Sequence, residues 1–83
     1  MWKIQYTQNA AKSIFKLNPS VRERIKKEIE KLYLSPDLGK QLTGHLKGLR
    51  SLRIEDYRII YKKEVDELII LIVAVGHRKN IYD

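Results

Sequence analysis

The sequence predicts an α+β domain in which an N-terminal strand and a helical hairpin pack on one face of a small antiparallel β-sheet. Three observations predict it. An alternating segment opens the chain, two amphipathic stretches at helical spacing follow, and the segment after residue 50 reads as successive strands. The 83 residues, 1–83, make one domain with no internal repeat, low-complexity stretch or linker.

Trp2, Ile4 and Tyr6 alternate with Lys3 and Gln5, the two-residue period of a half-buried strand. Thr7 can cap a first helix whose apolar stripe is Ala10, Ala11, Ile14, Phe15 and Leu17. Asn18-Pro19 interrupts it, and Ser20 with Glu23 forms a capping-box pattern for a second helix. The apolar face of that helix is Val21, Ile25, Ile29, Leu32 and Tyr33, and its opposite face is nearly all Lys, Arg and Glu. Ser35-Pro36-Asp37-Leu38-Gly39 ends it, and a loop holding Gly44 and Gly48 follows. Leu52 and Ile54 alternate with Ser51 and Arg53, Glu55-Asp56 makes a tight connection, and Tyr57, Ile59 and Tyr61 alternate with Arg58 and Ile60. Glu64 to Glu67 is a charged turn. Leu68 to Val75 is continuously apolar, as expected of a strand buried on both faces, and Gly76 closes it. The first strand is expected to join this sheet beside the last one.

Composition narrows the function. With no cysteines and only His45 and His77, a disulfide framework and a cysteine zinc site are excluded, which fits a reducing, cytoplasmic setting. The N-terminus runs straight into an alternating segment, so no secretory signal is expected. The longest apolar run falls far short of the ~20 residues a membrane helix needs, so no membrane association is expected. Lys and Arg total 17 against 10 Asp and Glu, a net charge of +7, which favours a polyanion or an acidic protein as partner. The excess is concentrated between Lys40 and Lys63, where seven basic residues face only Glu55 and Asp56.

If Leu52 and Ile54 face the helices, Lys47, Ser51 and Arg53 face the open side of the sheet. Arg58 lies across the tight turn, and Arg78 follows Gly76. Several arginines on an open sheet face suit phosphate, whose oxygens pair bidentately with guanidinium groups. Each residue also has a plainer reading. Arg58 could pair with Glu55 or Asp56, Arg53 could be a solvated strand residue, and Arg78 and Lys79 could be solubilising. His77 could be packed or solvated, and Tyr82 could tie the tail to the sheet. The histidines have no metal-ligand spacing, and neither a Ser-His-Asp set nor a phosphate loop is present, so no metal or cofactor is expected.

Two segments are more informative together. Leu52-Arg53-Ile54-Glu55-Asp56-Tyr57-Arg58-Ile59-Ile60-Tyr61 and Val75-Gly76-His77-Arg78-Lys79-Asn80-Ile81-Tyr82 resemble the RelE/ParE toxin family. In that family an R-x-x-x-Y-R-x-x-Y hairpin precedes an apolar strand ending in a G-H-R-like turn and a late tyrosine. Leu42, Gly44, Leu46 and Gly48 resemble the family's L-x-G-x-L-x-G loop. The resemblance covers essentially the whole chain and implies a RelE-like, microbial-RNase-type fold.

It also implies a toxin of a type II toxin-antitoxin system, neutralised by a cognate acidic antitoxin in a heterodimer or heterotetramer. RelE-like members enter the ribosomal A site and cut mRNA without a metal, by attack of a ribose 2′-hydroxyl on the adjacent phosphate. By matching position, Arg53, Arg58 and Arg78 would bind the phosphate and stabilise its added charge, and Tyr82 matches the late catalytic tyrosine. His77 could share the proton work. Lys47, Arg50, Lys62, Lys63 and Lys79 are the candidates for contacting RNA or the ribosome. Where the best-known members carry a basic pair before Arg53, this sequence has Leu49 and Ser51. Two other functions stay open: a ParE-like inhibitor of DNA gyrase, and a binding module that occupies RNA or an antitoxin without cutting.

Overall fold

The computed structural model describes residues 1–77 and Lys79. Strand β1 (Lys3–Tyr6) passes into helix α1 (Gln8–Phe15) through Thr7. The Thr7 hydroxyl accepts from the Ala10 N–H at 3.1 Å, satisfying a donor of the first turn, and donates to the Val73 carbonyl at 2.8 Å. Helix α2 (Pro19–Glu30) begins one step before the Ser20/Glu23 pattern. Its cap is Asn18, whose Oδ1 accepts from the Ser20 N–H at 3.1 Å. Pro19 fills the first helical position, where a missing N–H leaves no bond unmade. Arg22 reaches back to the carbonyls of Phe15 and Leu17 at 2.9 and 3.1 Å and closes the end of α1. A single 3-10 turn, Lys31–Tyr33, finishes the hairpin. No helix among the described residues is long and apolar enough to cross a membrane.

The sheet has five strands in the order β1-β5-β4-β3-β2. Strands β3 (Arg50–Ile54), β4 (Tyr57–Glu64) and β5 (Ile69–His77) form the expected antiparallel meander. Strand β1 lies beside β5 as expected, but parallel to it, so the sheet is mixed. Strand β2 (Lys40–Gln41) adds a short edge to β3 in what reads as loop; two residues carry no periodicity by which to recognise it.

One side of the sheet buries the core. Ile59 and Tyr61 of β4, Leu52 of β3, and Ile70, Ile72 and Val75 of β5 pack against Ala10, Ile25, Ile29 and Leu32. The β5 positions are out of simple alternation because of a bulge. Ile60 pairs with Ala74 and Tyr61 with Ile72, leaving Val73 as the extra residue. The carbonyl of Val73 is the one that accepts from Thr7. Beyond the bulge the phase of β5 is inverted, so Val75 and His77 share the helix side while Ala74 and Gly76 face away.

The loop after α2 is fixed from the same side. The Tyr61 hydroxyl donates to the Pro36 carbonyl at 2.7 Å and accepts from the Gly39 N–H at 2.8 Å. A side chain at Gly39 would collide with that ring: its Cβ would lie 2.7 Å from Tyr61 Cε1. Burial pushes the Tyr61 phenol up from its ordinary range, only partly offset by the Gly39 N–H.

Candidate functional site

The side of the sheet facing away from the helices carries the arginine pair. A two-residue turn, Glu55-Asp56, makes Ile54 and Tyr57 register partners, and therefore Arg53 and Arg58 directly opposed. The next partner of Arg58, on β5, is Gly76, which puts no side chain beside it. Arg53 is exposed and Arg58 half-buried. Opposed side chains on an antiparallel pair have Cβ atoms ~5 Å apart, so two cations here repel each other by up to ~1 kcal/mol. A phosphate between them would reverse the sign of that interaction. The neighbouring turn is fastened from behind, by an ion pair between Glu55 and Arg24 of α2. Glu55 thus has a partner other than Arg58, and it sits at φ 51, a left-handed conformation that glycine adopts more readily.

The other anticipated residues are spread more widely. Ser51 is on the same side as Arg53 but buried, under 10 % exposed, and is not part of an open surface. Lys62 is exposed on that side, four residues from Arg58 along β4 and so ~13 Å away, and pairs with Glu64 at 3.0 Å. Lys47 is exposed at the end of a 3-10 turn, Gly44–Leu46, beside a surface hollow lined by Gln41, Thr43 and Gly48. Arg50 and Lys63 belong to the opposite side and serve the fold. Arg50 donates to the Gly39 carbonyl at 2.8 Å and pairs with Asp37 at 3.2 Å. Lys63 binds the same carboxylate, and this hydrogen bond holds Asp37 below the usual carboxylate range.

His77 is not brought into the arginine row. Its ring stands edge-on to Tyr57, centroids 5.8 Å apart at 67°, on the helix side of the sheet. Its Nδ1 accepts from the Lys79 N–H at 3.3 Å, and Lys79 is exposed. Arg78 and Tyr82 lie outside the described residues.

One surface went unremarked residue by residue in the sequence. Between α1 and α2 runs an apolar groove of about 320 Å³, lined by Ile14, Phe15, Ile25 and Ile29 and edged by Arg22 and Lys26. Phe15, read as core from its spacing, is 77 % exposed at its rim, with the Arg22 guanidinium 5.6 Å from the ring centroid. Tyr6 borders the groove, its phenol pushed up by burial and by the nearby Tyr33 and Glu30.

Comparison with known proteins gives the fold and sites a lineage. A chain of the RelBE2 toxin-antitoxin complex from Mycobacterium tuberculosis matches with a TM-score of 0.85 and 26% identity, over 93% of this chain and 98% of that one. A chain of the RelB–RelE complex from Methanococcus jannaschii matches at 0.73 and 27% identity, over 95% of each. The isolated RelE toxin of E. coli shares the fold, with a TM-score of 0.82 at 22% identity over 93% of this chain and 84% of that one. No curated protein sequence matches the chain. The family profile described as the ParE toxin of the type II toxin-antitoxin system parDE matches residues 4–82. The chain therefore belongs to the ParE toxin family, within the RelE/ParE superfamily of type II toxins.

Proposed function

We propose that this toxin is a ribosome-dependent endoribonuclease that cuts mRNA in the A site through 2′-hydroxyl attack on the adjacent phosphate. The observation that carries the reading is the opposed pair Arg53 and Arg58, on the side of the sheet that the helices leave uncovered, with Gly76, which bears no side chain, as the β5 partner of Arg58. Fixed guanidinium donors aimed at a phosphorane stabilise charge that develops only in the transition state. Arg78 and Tyr82 complete the set in sequence, as a third cation and as the proton donor to the leaving oxygen. Exposed Lys62, Lys47 and Lys79 supply weaker contacts to RNA or ribosome. Arg50 and Lys63, already engaged by Asp37, contribute little.

The partner is an acidic antitoxin. Toxin-antitoxin complexes are among the structural neighbours. An amphipathic helix with acidic flanks suits both the groove beside Phe15 and its edge of Arg22 and Lys26.

Primer extension on mRNA in a translation reaction, repeated on naked mRNA, tests the activity. Cuts within translated codons that vanish without ribosomes are the expected result. The match to the ParE profile favours one competitor, inhibition of DNA gyrase. Growth arrest without cuts, together with loss of supercoiling activity, would transfer the assignment to it.

A further inference from the structure

We infer that Tyr57 and His77 form a positioning pair that braces Arg58 from behind the sheet, His77 acting through its Nδ1 acceptor and not by proton transfer. The inference rests on the nuclease reading. The two residues are register partners at the same end of β4 and β5. Each directly precedes an arginine in the chain, Tyr57 before Arg58 and His77 before Arg78. Tyr57 is seated between α2 and the sheet, bordered by Val21, Ile25 and Ile54. Successive strand residues point to opposite faces, so fixing the Tyr57 ring on the helix side fixes Arg58 on the other.

His77 is held twice. Its ring meets Tyr57 edge-on, and its Nδ1 accepts the Lys79 N–H, tying together the two residues that flank Arg78. A neutral imidazole that accepts at Nδ1 carries its proton on Nε2. Beside Tyr57 stand Glu55 of the β3–β4 turn and Arg24 of α2, which are paired with each other. The Nδ1 of His77 is thus engaged by a backbone N–H, and its ring stands on the side of the sheet away from Arg53 and Arg58.

Two variants separate the roles. In His77→Asn the amide Oδ1 stands where Nδ1 stood and can still accept from Lys79; His77→Phe keeps an edge-on ring but removes the acceptor. Positioning predicts cleavage within about fivefold of wild type for H77N and about 100-fold slower for H77F, the cost of a misplaced catalytic group. Losses of ~10²–10⁴-fold in both would identify a proton-transfer residue and overturn the proposal; wild-type cleavage by H77F would overturn it too. Imidazole and amide ¹⁵N NMR gives a readout independent of cleavage. The wild-type ring should be the Nε2–H tautomer, and the Lys79 amide should shift in H77F and not in H77N. A proton on Nδ1, or a Lys79 amide indifferent to H77F, refutes the contact. A chain that cuts no RNA at all sinks the nuclease reading instead, and the NMR result then decides the contact by itself.

Discussion

Replacing Arg53 by threonine tests whether the arginine row is held together against its own repulsion. Arg53 and Arg58 are register partners, so their Cβ atoms lie ~5 Å apart. If the guanidinium groups splay to ~7 Å, two unit charges repel by ~0.6 kcal/mol at the dielectric of water and by ~2.4 kcal/mol at an effective value near 20. Arg53 is exposed, so the lower figure governs. Threonine's better fit to a strand adds a few tenths, for a net gain of ~0.5–1 kcal/mol. For a domain of this size that is a rise of ~2–8 °C in Tm.

The assay is thermal unfolding of both proteins at ~0.1 M and ~1 M salt, between which the screening length falls from ~10 to ~3 Å. R53T should melt higher, and the gap should shrink by more than half at high salt. In the translation reaction the same variant should cut ~10²–10³-fold more slowly, the usual loss for one transition-state donor. A lower Tm, or a gain indifferent to salt, would refute the repulsion; cleavage at the wild-type rate would refute the role.

Three further substitutions probe the frame behind the site. Gly39→Ala should cost ~1–3 kcal/mol, because the new methyl would sit 2.7 Å from Cε1 and 2.8 Å from the hydroxyl of Tyr61; the urea midpoint should fall with an unchanged slope. Tyr61→Phe strands the Pro36 carbonyl and the Gly39 N–H and should cost about 2 kcal/mol. Because the folded-state pKa of Tyr61 is raised, its contribution is intact below the ordinary tyrosine value of ~10 and fades as pH climbs through the higher folded value. The wild-type protein should therefore lose stability above pH ~10, up to that folded value, more steeply than Tyr61→Phe. Glu55→Asn relieves a left-handed backbone at φ 51 but gives up the exposed pair with Arg24. The net gain should be ~0.5 kcal/mol at low salt and larger at ~1 M, where the pair is screened; a variant less stable than wild type at high salt would contradict the strain.

Periodicity made most of the fold legible. Trp2 to Tyr6, Leu52 to Ile54 and Tyr57 to Tyr61 read as strands with a dry and a wet side, and their dry sides meet the helices as expected. The bulge at Val73 left no trace. Leu68 to Val75 is apolar in both phases, so one inserted residue changes no hydrophobic pattern. Yet that residue decides which β5 side chains share the face of Arg58. Without it, His77 would share the face of Arg58 and Gly76 would point at the helices; with it, Gly76 is the neighbour of Arg58 on the far face and His77 stands behind the sheet. The expected company of His77 with the arginines fails for that reason. Gly39 was obscure for a different one: its burial comes from the 36–39 loop folding back onto Tyr61 of β4, a long-range contact that no local spacing encodes.

The arginine pair, by contrast, follows from a local turn, although the sequence left the phase of Arg58 open because Ile60 shares it. A two-residue turn at Glu55-Asp56 pairs the residues flanking it, so positions five apart across it, 53 and 58, must face each other. Both are arginine. Nearby, the chain matches charge in the ordinary way, with Glu55 set against Arg24 and Asp37 against both Arg50 and Lys63. A strand pair built only for stability would put opposite charges in the 53–58 row as well. On the proposed reading, two guanidinium groups opposed on a helix-free face suit an anionic ligand, whose charge would offset their mutual repulsion.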